Sequence, residues 1–158
     1  RHFMSSRKSR LLVASALCLA APAVLGTAAL GQEGDTLPAL AGNWVFEADL
    51  NQACTFDGQA RLTPTDTENV FGCELTARQD CPSIDVTYVV QQTCTATVNG
   101  DAMTVRSEIQ TFLQGEPSAF YTPDSFQLRI QSSSRMGGVL VGADFYPAIW
   151  QRADGAIS

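Results

Sequence analysis

The chain has 158 residues, with 16 acidic and ten lysine or arginine side chains, so its formal net charge is −6 at pH 7. The only histidine, His2, and the only lysine, Lys8, lie near the start of the sequence. From residue 32 onwards, six arginines against 16 acidic residues give a net charge of −10, which disfavours nucleic acid and anionic lipid as partners. That segment lacks the usual general base, zinc ligand and Schiff-base amine. We therefore expect a binding protein and not an enzyme, with no cofactor and no metal.

Residues 1–31 have the three-part pattern of a secretory signal peptide, and the three residues before Met4 are interpreted as an upstream remnant. A basic stretch, residues 5–10, precedes an apolar stretch, residues 11–25, and small residues place the predicted cleavage before Gln32. The pattern predicts a periplasmic or secreted protein. The alternative is a retained membrane anchor, since residues 11–30 are just long enough to span a bilayer. A membrane is an expected partner only in that case.

A polar lead-in, residues 32–40, is followed by a single predicted domain, residues 41–158, in which apolar and polar residues alternate. This period-two pattern is typical of strands with one buried face. It predicts eight strands, at residues 44–50, 54–62, 71–77, 84–98, 103–109, 126–130, 136–142 and 148–152. Asn99-Gly100 has the sequence of a type I′ hairpin turn. The predicted fold class is all-β, an eight-stranded antiparallel up-and-down barrel, because short connections favour a meander and closure removes exposed edges. A two-sheet β-sandwich is the alternative.

Four cysteines of the predicted domain, Cys54, Cys73, Cys81 and Cys94, all fall on the inward parity of their strands. An even number in an exported domain predicts two disulfides, and the absence of a C-x-x-C motif disfavours zinc or redox chemistry. When two antiparallel strands lie side by side, the residue numbers of every directly opposed pair add up to the same sum. Hairpins centred near residues 67 and 83 therefore pair Cys54 with Cys81 and Cys73 with Cys94. The alternative pairing would put a turn inside the most regular strand.

Two tryptophans bracket the predicted barrel. Gly42-Asn43-Trp44 opens the first strand, and Trp150-Gln151-Arg152 ends the last. Neighbouring first and last strands would let the Arg152 guanidinium stack on the Trp44 indole and close one end. Together, Gly42, Trp44 and Arg152 resemble the Gly-x-Trp and terminal Arg signature of the calycins, the lipocalin and avidin group. The opening, with Leu40, Gly42, Trp44 and a cysteine one strand later at Cys54, resembles bacterial periplasmic inhibitors of serralysin-type metalloproteases.

That resemblance implies a small barrel that inhibits a secreted protease with its N-terminal segment. The matching segment here is the lead-in, residues 32–40, with Thr36, Leu37 and Pro38 as the candidate contacts. The chain departs from the inhibitors in having cysteines for two disulfides instead of one and in its final hairpin. A secreted protease is thus the first expected partner, and another envelope protein is the second.

Two loops at the opposite end of the predicted barrel contain a second candidate surface. The loop at residues 114–124 contains Phe120 and Tyr121, and the loop at residues 143–147 contains Phe145 and Tyr146. Alternate loops of an up-and-down barrel share an end, so these four aromatics are expected at one rim. They are interpreted either as a recognition surface or as a plug of the barrel end.

Polar residues on the inward parity indicate a third possibility. Gln92, Ser107 and Thr111 can orient a small apolar ligand in the barrel mouth, or can be satisfied by backbone and water. The leading hypothesis is an exported, non-enzymatic binding protein, most concretely a periplasmic protease inhibitor. The alternatives are a carrier of a small apolar ligand and an envelope-associated structural protein that keeps its N-terminal helix.

Overall fold

A computed structural model describes residues 40–51 and 53–153, and these residues form a closed barrel of eight antiparallel strands in sequence order. Strand β8 pairs with β1, so the barrel is confirmed and the sandwich is not found. The strands are β1 (Gly42–Asp49), β2 (Thr55–Pro64), β3 (Val70–Cys81), β4 (Val86–Asn99), β5 (Ala102–Gln114), β6 (Ser125–Ser132), β7 (Arg135–Val141) and β8 (Phe145–Arg152). The predicted signal peptide lies outside the described residues.

Aromatic side chains fill the barrel interior. Phe46 stacks on Trp150 with ring centroids 5.4 Å apart, and Phe126 meets Trp150 edge-on at 5.1 Å. The Trp44 ring is tilted against that of Trp150, with centroids 6.5 Å apart. An eight-stranded barrel is just wide enough to be filled in this way, so its centre is a packed core.

A glycine opposite Phe46 makes room for that core. Gly58 pairs with Phe46 across β1 and β2, and a Cβ at Gly58 would lie 2.4 Å from the Phe46 ring. The ring therefore covers the glycine, and any larger residue at position 58 would displace it.

Two predicted turns differ from the structure. The hairpin between β4 and β5 turns at Gly100 and Asp101, and only Gly100 has positive φ (62°), which is the residue requirement of a type II′ turn and not of the predicted type I′. The strand predicted from Ile84 begins at Val86 instead. Pro82–Ile84 form a 3-10 turn that ends at Asp85 in the left-handed region, and Ile84 is exposed.

The two predicted disulfides are confirmed as Cys54–Cys81 and Cys73–Cys94. Cys73 and Cys94 are direct partners in the β3–β4 ladder. The regular registers of β2–β3 and β3–β4 explain why counting residues from the turns found the correct partners. Both bridges are compatible with an oxidising compartment.

Trp44 and Arg152 close the end of the barrel where β1 begins and β8 ends, as predicted. The guanidinium lies 4.7 Å from the centroid of the Trp44 ring and donates hydrogen bonds of 2.8 Å to the carbonyls of Ala41 and Ser133. The Trp44 indole donates to the carbonyl of Leu40, which is fully buried. The chain is therefore fixed to this end, called the base, from Leu40 onwards.

Candidate functional site

The opposite end of the barrel, called the mouth, is formed by the loops that follow β1, β3, β5 and β7. Large apolar side chains are exposed there: Phe120 is 97% exposed, Phe145 62% and Ile84 67%, and Leu113 near the end of β5 is also exposed. Among the described residues, only one further large apolar side chain, Val45 on the outer face of β1, is exposed. Exposed apolar surface is thus concentrated at the mouth.

The four aromatic residues predicted at one rim all lie at the mouth. Some of them fit the interpretation as a recognition surface, and others fit the interpretation as a plug of the barrel end. Phe120 and Phe145 face solvent, whereas Tyr121 is buried and Tyr146 is half-buried. The Tyr121 ring packs 5.2 Å from that of Tyr88 and 5.7 Å from that of Phe112. One pair therefore offers contact surface, while Tyr121 plugs the barrel.

A cavity of about 230 Å³ opens between these loops. Its walls are mainly aromatic and aliphatic, and its charged group is the Asp124 carboxyl. It is lined by Leu50, Gln79, Tyr88, Phe120, Tyr121, Thr122, Asp124, Leu140, Gly142, Ala143 and Tyr146. The polar residues Gln79, Thr122 and Asp124 thus alternate with aromatic and aliphatic residues in the lining of this cavity.

Asp124 is the centre of a buried hydrogen-bond network at the floor of the mouth. Its Oδ2 accepts hydrogen bonds of 2.6 Å from the Gln92 amide and from the Tyr121 hydroxyl. Its backbone N–H donates to Gln92 Oε1 at 2.8 Å, and its carbonyl accepts from the Ser107 hydroxyl at 2.5 Å. The side chain of Asp124 is thereby held in one position, although it lies at the end of a loop.

The electrostatics of this carboxyl are unusual. Asp124 is only 6% exposed, and burial raises its pKa from 3.8 to about 6, although the hydrogen bonds from Tyr121 and Gln92 act in the opposite direction. Burial and the neighbouring carboxylate also raise the pKa of Tyr121, so its hydroxyl stays protonated as a donor. At neutral pH the floor of the mouth therefore carries a mostly ionised carboxylate.

The end of the β5–β6 ladder explains why Asp124 points inward. These strands pair only over Ala102–Val105, and continuing the same register would place Pro123 opposite Glu108. Beyond the paired residues, the Ser107 N–H donates to Ser125 Oγ and the Ser107 hydroxyl donates to the Asp124 carbonyl, and these bonds hold the chain against β5. In the continued register Asp124 still lies opposite Ser107. It also lies two residues from Phe126, so that both side chains face the barrel interior.

The three residues predicted to face inward have different positions. Gln92 and Ser107 are buried inside the barrel as predicted, and both are bonded to Asp124. The inward placement of Thr111 is wrong: Thr111 is exposed and pairs with Gln91 on the outer face. A β-bulge at Gln110 inserts one extra residue and reverses the parity of Thr111 and Phe112, and a second register shift at Leu113 reverses it again.

Sequence reasoning missed Asp124 itself, which it treated as the boundary of a loop. The polar groups that face inward therefore include a carboxyl as well as the predicted Gln92 and Ser107. The sequence did contain a signal for the inward position of Asp124. Position 124 lies two residues before the predicted strand and continues its even-numbered inward series, Phe126, Leu128 and Ile130. The candidate contacts Thr36, Leu37 and Pro38 lie outside the described residues.

Within residues 40–51 and 53–153, no cluster of three or more His, Cys, Asp or Glu side chains could hold a metal ion. None of the helices in this part of the chain is long and apolar enough to cross a membrane. Comparison of the chain with protein-family models and with curated proteins gave no match.

Proposed function

We propose that the chain is an exported, non-enzymatic binding protein that recognises a protein partner through the mouth of its barrel. The observation that carries the proposal is the concentration of exposed apolar side chains at this end, with Phe120 and Phe145 on loops that the barrel positions. Exposed aromatic residues on a rigid scaffold are typical of the residues that dominate binding energy at interfaces. The rest of the described surface has few large apolar groups.

The most concrete form of the proposal is an inhibitor of a secreted protease. It draws on the resemblance of the opening around Leu40, Gly42 and Trp44 to the inhibitors of serralysin-type proteases. It also draws on the firm attachment of that opening to the base, where Leu40 is buried and Arg152 binds the Ala41 carbonyl. A segment that leaves from a fixed point loses less freedom when it binds.

The proposed location is the periplasm or the extracellular medium. The two disulfides support an oxidising compartment, and the leader pattern supports export. A carrier of a small apolar ligand is the second candidate, supported by the mouth cavity. Its ligand would have to stay at the mouth, because aromatic side chains fill the barrel centre. An envelope-associated structural role depends on a retained N-terminal helix.

Inhibition of a panel of secreted proteases by the oxidised protein tests the proposal. We expect inhibition of at least one metalloprotease, and a substantial loss of it in Phe120→Ala/Phe145→Ala. Val45→Ala is the matched control because it removes exposed apolar surface far from the mouth. A variant lacking residues 32–39 separates the two surfaces: loss of inhibition only in that variant contradicts recognition through the mouth and places the site in the lead-in. A panel with no inhibited protease contradicts the inhibitor proposal.

A further inference from the structure

We propose that the mouth cavity binds a small organic cation with an ammonium group, with the Asp124 carboxylate as its counter-ion and the surrounding aromatic rings as its walls. This inference goes beyond the proposed function, because it concerns a small ligand inside the cavity and not a protein on the rim. It rests on an unbalanced buried charge, on the composition of the walls and on an available carboxylate oxygen.

The buried charge has no basic partner within the described part of the chain. Between described residues, the one ion pair joins Arg129 to Asp101, and both of these residues lie on the surface at the base end of the barrel. The side chains lining the cavity include no arginine, lysine or histidine. Buried carboxylates in proteins are normally paired with a cation or neutralised, so the Asp124 site is complementary to a cation that the described residues do not supply.

The cavity walls fit an ammonium group better than a metal ion or an uncharged ligand. Four aromatic residues line the cavity, Tyr88, Phe120, Tyr121 and Tyr146, and of these Phe120 is open to solvent at the rim. The faces of aromatic rings attract organic cations, and aromatic cages bind methylated ammonium groups. A metal ion would need several oxygen ligands, whereas a single carboxylate supplies too few.

One oxygen of the carboxylate is available for a ligand. Gln92 and Tyr121 both bond to Oδ2, and Oδ1 accepts no hydrogen bond from the described residues. Oδ1 is not among the fully buried polar atoms without a partner, and Asp124 lines the cavity. A cation in the cavity can therefore approach Oδ1 without breaking the network that holds the loop. The volume of about 230 Å³ limits the ligand to a small molecule.

Binding should depend on pH through Asp124. The titratable groups that face it in the cavity are Tyr88 from β4, Tyr121 from the β5–β6 loop and Tyr146 from β8, and no other charged residue is among the described residues that line the cavity. The carboxyl pKa of about 6 leaves about a tenth of the sites ionised at pH 5. Cation affinity should accordingly fall about tenfold between pH 7.5 and pH 5.

Calorimetric titration of the oxidised protein with choline, and with its uncharged isostere 3,3-dimethylbutan-1-ol, tests the inference. We expect saturable choline binding at pH 7.5, at least tenfold weaker binding of the alcohol, and about tenfold weaker choline binding at pH 5. Asp124→Asn should weaken choline binding at least tenfold. Asp66→Asn, which removes the same charge at the base end, should leave it unchanged.

The wild-type comparisons of the two probes and of the two pH values remain decisive if Asp124→Asn fails to fold. Equal affinity for choline and the alcohol, or no saturable choline binding, overturns the inference. None of these outcomes bears on the loss of protease inhibition in Phe120→Ala/Phe145→Ala, so the two proposals fail separately.

Discussion

Gln92 and Asp124, which are 32 residues apart in the sequence, exchange two hydrogen bonds at the floor of the barrel mouth. The Gln92 amide nitrogen donates to the carboxylate and its carbonyl oxygen accepts from the Asp124 backbone. Both the donor and the acceptor of the Gln92 amide are thus used. This pair joins the interior of β4 to the loop that covers the mouth.

Replacing Gln92 should destabilise the protein substantially. Gln92→Leu leaves a buried N–H without an acceptor and removes a donor from a buried carboxylate, which should cost about 3 kcal/mol of unfolding free energy. Gln91→Leu is the control, because Gln91 is exposed on the outer face of the same strand and its loss should cost less than about 0.5 kcal/mol. Urea denaturation measures both values. Equal stabilities for the two variants would show that the buried amide is not held as described.

The wild type should lose stability relative to Asp124→Asn as the pH rises. Because the folded state raises the pKa of Asp124 from 3.8 to about 6, folding is favoured when the carboxyl is protonated. Its stabilising effect is fully present below the unfolded pKa of 3.8 and is lost as the pH rises through 6, a total change of about 3 kcal/mol. Denaturation at pH 4, 5, 6 and 7 checks the change. A wild type that gains stability relative to the variant as the pH rises contradicts the buried, unpaired carboxylate.

Each disulfide should contribute to stability by restricting the unfolded chain. The bridges close segments with sequence separations of 27 and 21 residues, for which the loop-entropy relation gives about 3 kcal/mol each. Cys54→Ala/Cys81→Ala and Cys73→Ala/Cys94→Ala should therefore lower the unfolding free energy by similar amounts. Peptide mapping of the oxidised protein checks the pairing, and a Cys54–Cys73 peptide would contradict it.

Arg152→Lys should weaken the closure at the base although it keeps the charge. A lysine cannot stack a planar cation on Trp44 while donating to the carbonyls of both Ala41 and Ser133. We expect a loss of about 1–2 kcal/mol, measured by thermal or urea unfolding. Arg78→Lys, on the exposed face of β3, is the matched control and should have little effect. An Arg152→Lys protein as stable as Arg78→Lys would contradict the closure of the base by Arg152 and Trp44.

Sequence patterns predicted the fold well where the ladders are regular. The alternation around Phe56, Ala60 and Leu62 identified β2 because each inward residue is buried and each neighbour is not. The disulfides followed from the same regularity, since no register shift separates Cys54 from Cys81 or Cys73 from Cys94. Closure through Trp44 and Arg152 followed from their places in the first and last strands.

The predictions failed where the backbone departs from that regularity. Thr111 lies beyond a bulge whose position no residue pattern marks, so its parity was assigned wrongly. Asp124 looked like a loop residue because a proline precedes it, yet the tertiary contacts of Gln92, Ser107 and Tyr121 hold it inside the barrel. The site at the mouth therefore depends on long-range contacts that a local reading of the sequence does not contain.

The pKa of the Asp124 carboxyl, measured from the pH dependence of its carbon chemical shift by NMR, tests the central claim about the mouth most directly. We expect a value of about 6 in the free protein and a lower value when the cavity is saturated with choline. A free value at or below the ordinary 3.8 would contradict the account, because it would mean that the carboxylate is already solvated or already paired.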